Sequence, residues 1–96
     1  MKFEWDLEKA EANLKKHGIS FEQARAAFYD PSHVVINDRI IDGEFRFHVI
    51  GFSGLFRLLL VAHTVRNREG EEVIRIISAR KVTAKERKYY DNYRNV

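Results

Sequence analysis

Charged and imidazole side chains of the types that cleave RNA recur in the middle of the chain, between positions 44 and 63. They are Glu44, Arg46, His48, Arg57 and His63. RNA cleavage by its own 2′-hydroxyl needs a base, an acid for the departing 5′ oxygen, and cations that stabilise the charge on the phosphorane. Glu and His exchange protons near neutral pH, and Arg binds phosphate in a bidentate manner. These residue types therefore suffice for RNA cleavage without a metal ion, if the fold brings them together.

Capping signals predict three helices that flank a β-rich segment. Asp6 is an N-cap and Gly18 a left-handed C-cap for the first helix. Ser20 begins the second helix with a capping box, and Pro31 follows its end. Thr83 begins the third helix, again with a capping box. Two helices are therefore expected before the main strands and one after them.

Alternating and β-branched segments predict five strands. They are Lys2–Trp5, Val34–Ile41, Phe45–Phe52, Leu55–Arg66 and Glu72–Ala79. The order β-α-α-β-β-β-β-α predicts an α+β fold, an antiparallel meander with two N-terminal helices and one C-terminal helix. Residues 1–96 contain no linker or repeat, so we expect a single domain.

The Ser53–Gly54 pair predicts a two-residue hairpin loop, and this loop sets a register. Phe52 would then lie opposite Leu55, and Glu44 opposite His63. The expected apolar face, beneath the N-terminal helices, carries Phe45, Phe47, Val49, Leu58, Leu60 and Ala62. The expected polar face carries Glu44, Arg46, His48, Arg57 and His63. On this register Glu44 is the predicted base and His63 the predicted acid.

The last strand has two possible registers. A four-residue loop from 67 to 70 places Arg80 opposite Arg57 on the polar face, whereas one further loop residue turns Arg80 to the other side. The periodicity of the strand leaves both arrangements open.

Several of these residues also have structural explanations. Cross-strand Glu–His and Glu–Arg pairs are common on solvated sheets and contribute only about 0.2–1 kcal/mol. His17 complements the dipole at the end of the first helix, and His48 is interpreted as an ordinary surface residue. Tyr89, Tyr90 and Tyr93 either stack on bases or anchor the last helix to the sheet. No two histidines have the helical spacing of a hydrolytic zinc site, so no metal or other cofactor is expected.

Composition restricts the classes of protein that fit. The chain has 96 residues, 45% of them hydrophobic, no cysteine and a formal net charge of +3. This composition favours a compact domain without disulfides and is weakly suggestive of a polyanionic partner. The first ten residues become charged too soon for a signal peptide, and the apolar run Leu58–Ala62 is too short to cross a bilayer. We therefore expect a cytoplasmic protein without membrane contact.

Longer motifs resemble the BrnT family of toxins. They are FEWD (Phe3–Asp6), NLKKHGISFEQA (Asn13–Ala24), Asp30-Pro31, RFHVIGFS, LLLVAHTVR and IRIISARKVTAKERKYY (Ile74–Tyr90). The resemblance implies a RelE-like fold with helices on one sheet face and an RNA-facing surface on the other. It implies a type II toxin that inhibits translation by cleaving RNA without a cofactor. It also implies a BrnA-type antitoxin, a toxin–antitoxin heterotetramer, and operator DNA contacted only through the antitoxin.

The resemblance also implies roles for individual residues. Arg46, five residues before Gly51, and Arg80 in SARK look like the family's phosphate-facing arginines. The expected RNA-binding residues are Lys16, His17, Arg57, Lys81 and Arg87. The alternative is a binding module that grips RNA or a partner through the same basic face without cleaving it. A degenerate toxin kept only for regulation is a third possibility.

Overall fold

Eight elements follow one another in the predicted order β-α-α-β-β-β-β-α. The structure is a computed structural model that describes residues 1–94. The elements are β1 (Lys2–Glu4), α1 (Leu7–His17), α2 (Phe21–Ala27), β2 (Val34–Ile41), β3 (Glu44–Phe52), β4 (Leu58–Arg68), β5 (Glu71–Lys81) and α3 (Ala84–Tyr93). The α+β architecture is confirmed. Within residues 1–94, no helix is long and apolar enough to span a membrane.

The predicted caps begin and end the helices. The Asp6 carboxylate accepts hydrogen bonds from two backbone N–H groups of the first turn, and Gly18 ends α1 with a φ of 70°. Ser20 and Thr83 each form a complete capping box at the start of α2 and α3. Local sequence therefore sets the helix boundaries.

A single five-stranded sheet has the strand order β1-β5-β4-β3-β2. Strands β2 to β5 form the antiparallel meander, and β1 adds to β5 in parallel over three residues, from Lys2 to Glu4. A parallel neighbour needs a long connection, and α1, α2 and the three other strands supply it.

Helices cover both faces of this sheet. On one face, here called the α1/α2 face, the two N-terminal helices pack over residues that include Val49, Leu59 and Val61. On the other, the α3 face, α3 inserts Tyr90 against Ile50, Leu58 and Leu60. Gly51 brings α2 close to β3, since a Cβ there would collide with the carbonyl oxygen of Ala27.

The predicted register of β3 and β4 is wrong. Their connection runs from 53 to 57, and Phe52 pairs with Leu58 rather than Leu55, a shift of three residues. An odd shift turns every side chain of β4 to the other face. Leu58, Leu60 and Ala62 therefore lie on the α3 face, and His63 lies beside Phe47 on the α1/α2 face. The sequence carried a sign of this, because Leu58 to Ala62 is the unbroken apolar run of a strand covered on both sides.

The sequence leaves two registers open for Arg80, and the pairing with Arg57 is not formed. The turn is tighter than predicted, with Glu69 and Gly70 at positive φ, and Arg80 pairs with Leu60. A bulge at Ile77, between the Ala62–Ser78 and His63–Ile76 pairs, adds one residue to β5. Arg80 and Arg46 consequently lie on the same α3 face of the sheet.

The Asp30 carboxylate ties α3 to the sheet. It accepts hydrogen bonds from the Phe52 N–H at 2.9 Å, the Tyr90 hydroxyl at 2.7 Å and the Ser32 N–H at 2.9 Å. Burial by itself would raise the pKa of Asp30, but these three bonds outweigh it and the pKa lies below its usual value. Burial and the bond to Asp30 raise the pKa of Tyr90 to about 12. The position of α3 is thus fixed by an ionised carboxylate.

The Asn13 side chain takes the place of a strand at the edge of β5, where β1 has ended. It accepts from the Ala79 N–H at 3.1 Å and donates to the Ala79 carbonyl at 2.9 Å. It also donates to the Ile19 carbonyl at 2.9 Å. Only 7% of Asn13 is exposed, so it satisfies buried backbone groups that water does not reach.

We expect Asn13→Ala to lower the free energy of unfolding by about 2–4 kcal/mol, because it leaves these buried backbone groups without partners. Urea unfolding followed by circular dichroism measures the change. Asn92→Ala, which alters an exposed residue of α3, is the control. An Asn13→Ala protein that unfolds at the same urea concentration as the wild type would contradict this role.

Candidate active site

A row of polar side chains crosses the α3 face outside the part against which Tyr90 of α3 packs. Thr64 of β4 pairs with Arg75 of β5, and Arg75 pairs with Glu4 of β1. Arg46 of β3 pairs with Arg39 of β2 and neighbours Thr64 across the sheet, since Phe47 pairs with His63. The row therefore includes one residue from each of the five strands.

This row borders a cavity of about 610 Å³, here called the Arg46 cavity. Its lining residues are Lys9, Ile41, Asp42, Gly43, Glu44, Arg46, Thr64, Arg66, Arg75 and Ile77. Four of them are cationic and two are carboxylates. The cavity thus has the charge that suits a phosphate group.

Two glutamates orient three arginines at this end of the sheet. Arg66 donates to both oxygens of Glu44, at 3.0 and 3.2 Å. Arg68 and Arg75 donate to Glu4, with shortest distances of 2.8 and 2.7 Å. The bond from Arg66 lowers the pKa of Glu44, and bonds from Arg68 and then Arg75 lower the pKa of Glu4 to about 2. Both carboxylates are therefore ionised at neutral pH and hold the guanidinium groups in place.

Arg46 and Thr64 have polar atoms that no protein group satisfies. Arg46 Nε and Thr64 Oγ1 are buried and make no hydrogen bond within residues 1–94. Thr64 is only 3% exposed. Buried polar atoms without partners are uncommon in folded proteins, and bound water, an ion or a ligand supplies the partner they lack. A phosphate oxygen in the Arg46 cavity would be an acceptor for both groups.

The histidines of the two central strands, His48 of β3 and His63 of β4, lie on opposite sides of the sheet. His48 shares the α3 face with Arg46, and its Nε2 lies 3.4 Å from Asp38 Oδ2. His63 packs between Phe28 and Phe47, with ring centroids 4.8 and 5.8 Å away. Burial lowers the pKa of His63, so its imidazole is neutral. The structure therefore brings His48, and not His63, to the side of the sheet that holds Arg46.

Arg80 lies on the α3 face but away from the Arg46 cavity. It pairs with Leu60, four residues from Thr64, which corresponds to roughly 13 Å along the strand. Its guanidinium donates to both oxygens of Glu86 in α3, at 2.7 and 2.9 Å. The bond from Arg80 lowers the pKa of Glu86 to about 2. Arg80 thus joins β5 to the first turn of α3.

The remaining predicted residues fall into two groups, one at α1 and one near the beginning of α3. Lys16 and His17, at the end of α1, line a hollow of about 230 Å³ together with Lys9, which also lines the Arg46 cavity. Arg57, Lys81 and Arg87 line another hollow near the beginning of α3. Within residues 1–94, no three His, Asp or Glu side chains lie close enough to share a metal ion.

Sequence reasoning missed several residues of the Arg46 cavity, namely Lys9, Thr64, Arg66 and Arg75. Arg75 did leave a signal, because it interrupts the apolar run VIRII in a strand that is otherwise buried. The bulge at Ile77 was not visible in the sequence, and without it Arg75 and Arg80 do not fall on the same face.

Comparison with known proteins identifies a family model and a similar crystal structure. The model of the family described as "Ribonuclease toxin, BrnT, of type II toxin-antitoxin system" matches residues 5–86. The crystal structure of the Brucella abortus ribonuclease toxin BrnT is similar, with a TM-score of 0.64 and 25% sequence identity. The match covers 86% of this chain and 97% of the Brucella chain. No curated protein sequence matches the chain.

The Arg80–Glu86 pair predicts a pH dependence of stability. The pKa of Glu86 falls from an ordinary 4.5 to about 2 on folding. Its ionised carboxylate therefore stabilises the folded protein fully above pH 4.5, and this stabilisation is lost as pH falls toward 2. We expect Glu86→Gln to lower the free energy of unfolding by about 1–2 kcal/mol at pH 7, a value that allows for the partial exposure of Arg80. Gln is chosen because it still completes the capping box.

Urea unfolding at pH 7 and at pH 3 measures this dependence. The difference in the free energy of unfolding between wild type and Glu86→Gln should be smaller at pH 3 than at pH 7. Asp91→Asn, which removes an exposed carboxylate of the same helix, controls for general charge effects. A difference that stays constant over this pH range would mean that the carboxylate charge contributes nothing to the pair.

Proposed function

The chain belongs to the BrnT family of ribonuclease toxins of type II toxin–antitoxin systems, and we propose that it is an endoribonuclease whose site is the Arg46 cavity and which needs no metal ion. The observation that carries this proposal is the buried Nε of Arg46, unpartnered within residues 1–94, at a cavity lined by four cations. RNA is the polyanion that the family description indicates.

The proposed reaction is attack of a ribose 2′-oxygen on the adjacent phosphate. The bond from the 2′-oxygen to phosphorus forms and the bond to the 5′ oxygen breaks, which leaves a 2′,3′-cyclic phosphate and a free 5′-hydroxyl. Arg46 binds the phosphate and stabilises the extra negative charge of the phosphorane. Arg66 and Arg75 add to this field at little reorganisation cost, because Glu44 and Glu4 already orient them.

In the proposed reaction, groups on the α3 face carry out the proton transfers. Glu44 is ionised and accepts the proton of the 2′-hydroxyl, although its lowered pKa makes it a weak base. His48, two residues from Arg46 on β3 and roughly 7 Å from it along the strand, is positioned to donate a proton to the departing 5′ oxygen. The predicted role of His63 depended on a register that the fold does not have, so His63 is not part of the proposed site. Most of the rate enhancement is then electrostatic.

The wider assembly follows from the family. A type II toxin has an antitoxin partner, and we infer an antitoxin of the BrnA type, a toxin–antitoxin heterotetramer, and contact with operator DNA through the antitoxin alone. Cytoplasmic RNA cleavage then inhibits translation. Lys16, His17 and Arg80 are proposed RNA contacts beyond the reacting phosphate. The competing function is a module that binds RNA with strong salt dependence and leaves it intact.

We expect Arg46→Ala to lower the rate of RNA cleavage in EDTA by about 100- to 1000-fold, as for loss of one donor to a charged transition state. A labelled RNA is incubated with purified protein, and its 3′ ends are examined for cyclic phosphate. Lys15→Ala, which removes an equal charge from an exposed site on α1, should cleave like wild type. Cleavage that survives Arg46→Ala would refute the site, and cleavage that requires added metal would refute the metal-free mechanism. RNA that is bound but stays intact would favour the binding module.

The two histidines give a second comparison. His48→Gln should lower the cleavage rate by about 100-fold and flatten the limb of the pH–rate profile that belongs to the acid. His63→Phe, which fills the space between Phe28 and Phe47, should cleave with an unchanged pH profile. The reverse result, with His63 required and His48 dispensable, would show that the acid acts from the α1/α2 face.

A further inference from the structure

The connection between β3 and β4 presents two large apolar side chains to solvent. Leu55 is 86% and Phe56 is 92% exposed. The base of this connection is fixed, because the Ser53 N–H donates to the Arg57 carbonyl at 2.7 Å and the Ser53 hydroxyl donates to the Gln23 carbonyl of α2 at 2.8 Å. The fold therefore holds Phe56 at the end of the sheet without burying it.

Beside Phe56 lies a hollow with a strongly basic lining. Its volume is about 230 Å³, and its lining residues are Phe56, Arg57, Leu58, Lys81, Val82 and Arg87. Three of these six are cations and none is a carboxylate. Arg57 Nη1 is buried without a hydrogen-bond partner within residues 1–94. The hollow thus combines unneutralised positive charge, an unsatisfied donor and an exposed aromatic ring.

Arg87 approaches the hollow from α3 and is positioned by the protein. Its guanidinium lies over the ring of Phe52, 5.5 Å from the ring centroid. Arg57 comes from the β3–β4 connection and Lys81 from the end of β5. Three separate elements therefore direct cations toward one hollow.

We propose that this hollow is a second RNA subsite, in which Phe56 stacks on a base and Arg57, Lys81 and Arg87 bind the adjoining phosphate. Aromatic rings next to cations are the usual way in which proteins hold single-stranded nucleic acid, since every base has a face that stacks. A lining with three cations and no carboxylate suits a polyanion better than the mixed charge of a protein surface. The subsite rests on the proposed function in taking RNA as its ligand.

The subsite contacts a different nucleotide from the one that reacts. Arg46 lies near the beginning of β3, and the hollow lies beyond Phe52 at its end, roughly 20 Å away along the strand. One nucleotide does not bridge this distance. Phe56 should therefore affect RNAs long enough to reach both places and should not affect a dinucleotide, which makes it a determinant of minimum substrate length.

The test is binding of a fluorescent RNA of about ten nucleotides, methylated on every 2′-oxygen so that it does not react. Phe56→Ala should weaken binding roughly five- to hundredfold, as loss of one stacked base does in other proteins. Phe56→Trp should restore binding and should quench 2-aminopurine at the stacked position. Leu55→Ala, which removes an equally exposed apolar side chain that does not line the hollow, is the matched control and should bind like wild type.

Cleavage of a dinucleotide and of the longer unmodified RNA completes the test. Phe56→Ala should lower kcat/KM for the longer RNA only. The subsite is refuted if Phe56→Ala binds the methylated RNA as wild type does, if Leu55→Ala weakens binding equally, or if dinucleotide cleavage falls as well. Loss of antitoxin binding with RNA binding intact would instead identify a protein contact. Because binding is measured with RNA that does not react, the binding result can be interpreted even if the protein has no nuclease activity.

Discussion

The pairing of Val49 with Val61 is the constraint on which the rest of the structure depends. Both side chains are fully buried beneath α1 and α2, and their contact fixes the register of the two central strands. The faces on which the other side chains of β3 and β4 lie follow from this pair. It sends His63 into the core against Phe28, and it leaves Arg46 and Thr64 as neighbours on the opposite side.

The arginines on the α3 face differ in whether a carboxylate is paired with them. Glu44, Glu4 and Glu86 each receive at least one arginine, and these pairs are part of the folded framework. Arg46 Nε is left without a partner within residues 1–94, although an unsatisfied buried group costs about 1–3 kcal/mol. Cations that are oriented before the ligand arrives need no reorganisation when phosphate charge develops. On the proposed function, stability and catalysis would place opposite demands on Arg46.

The position of α3 separates the α3 face into a covered and an open part. Tyr90 packs over Ile50 and Leu60, and the bond from its hydroxyl to Asp30 holds it there. Beyond the covered part lies the Arg46 cavity, and at the other end of β3 lies the hollow beside Phe56. A strand of RNA that follows β3 would meet cations at both ends, at the Arg46 cavity and at the hollow. On the proposed function, contacts at the hollow would then influence which RNAs are cleaved.

The helix caps at Asp6, Ser20 and Thr83, the order of the elements and the family could all be predicted from the sequence. Each of them depends on residues that are close together in the chain. The sequence also placed Arg46 on a face opposite the N-terminal helices. The β3–β4 connection has five residues instead of the expected two, and β5 contains a bulge, and both features became visible only in the folded sheet. Together they put His63 on the α1/α2 face and Arg75 on the α3 face, beside the Arg46 cavity. The physical reason is that strand register depends on which side chains are buried together across the sheet, and a strand covered on both faces lacks the alternation from which register is inferred.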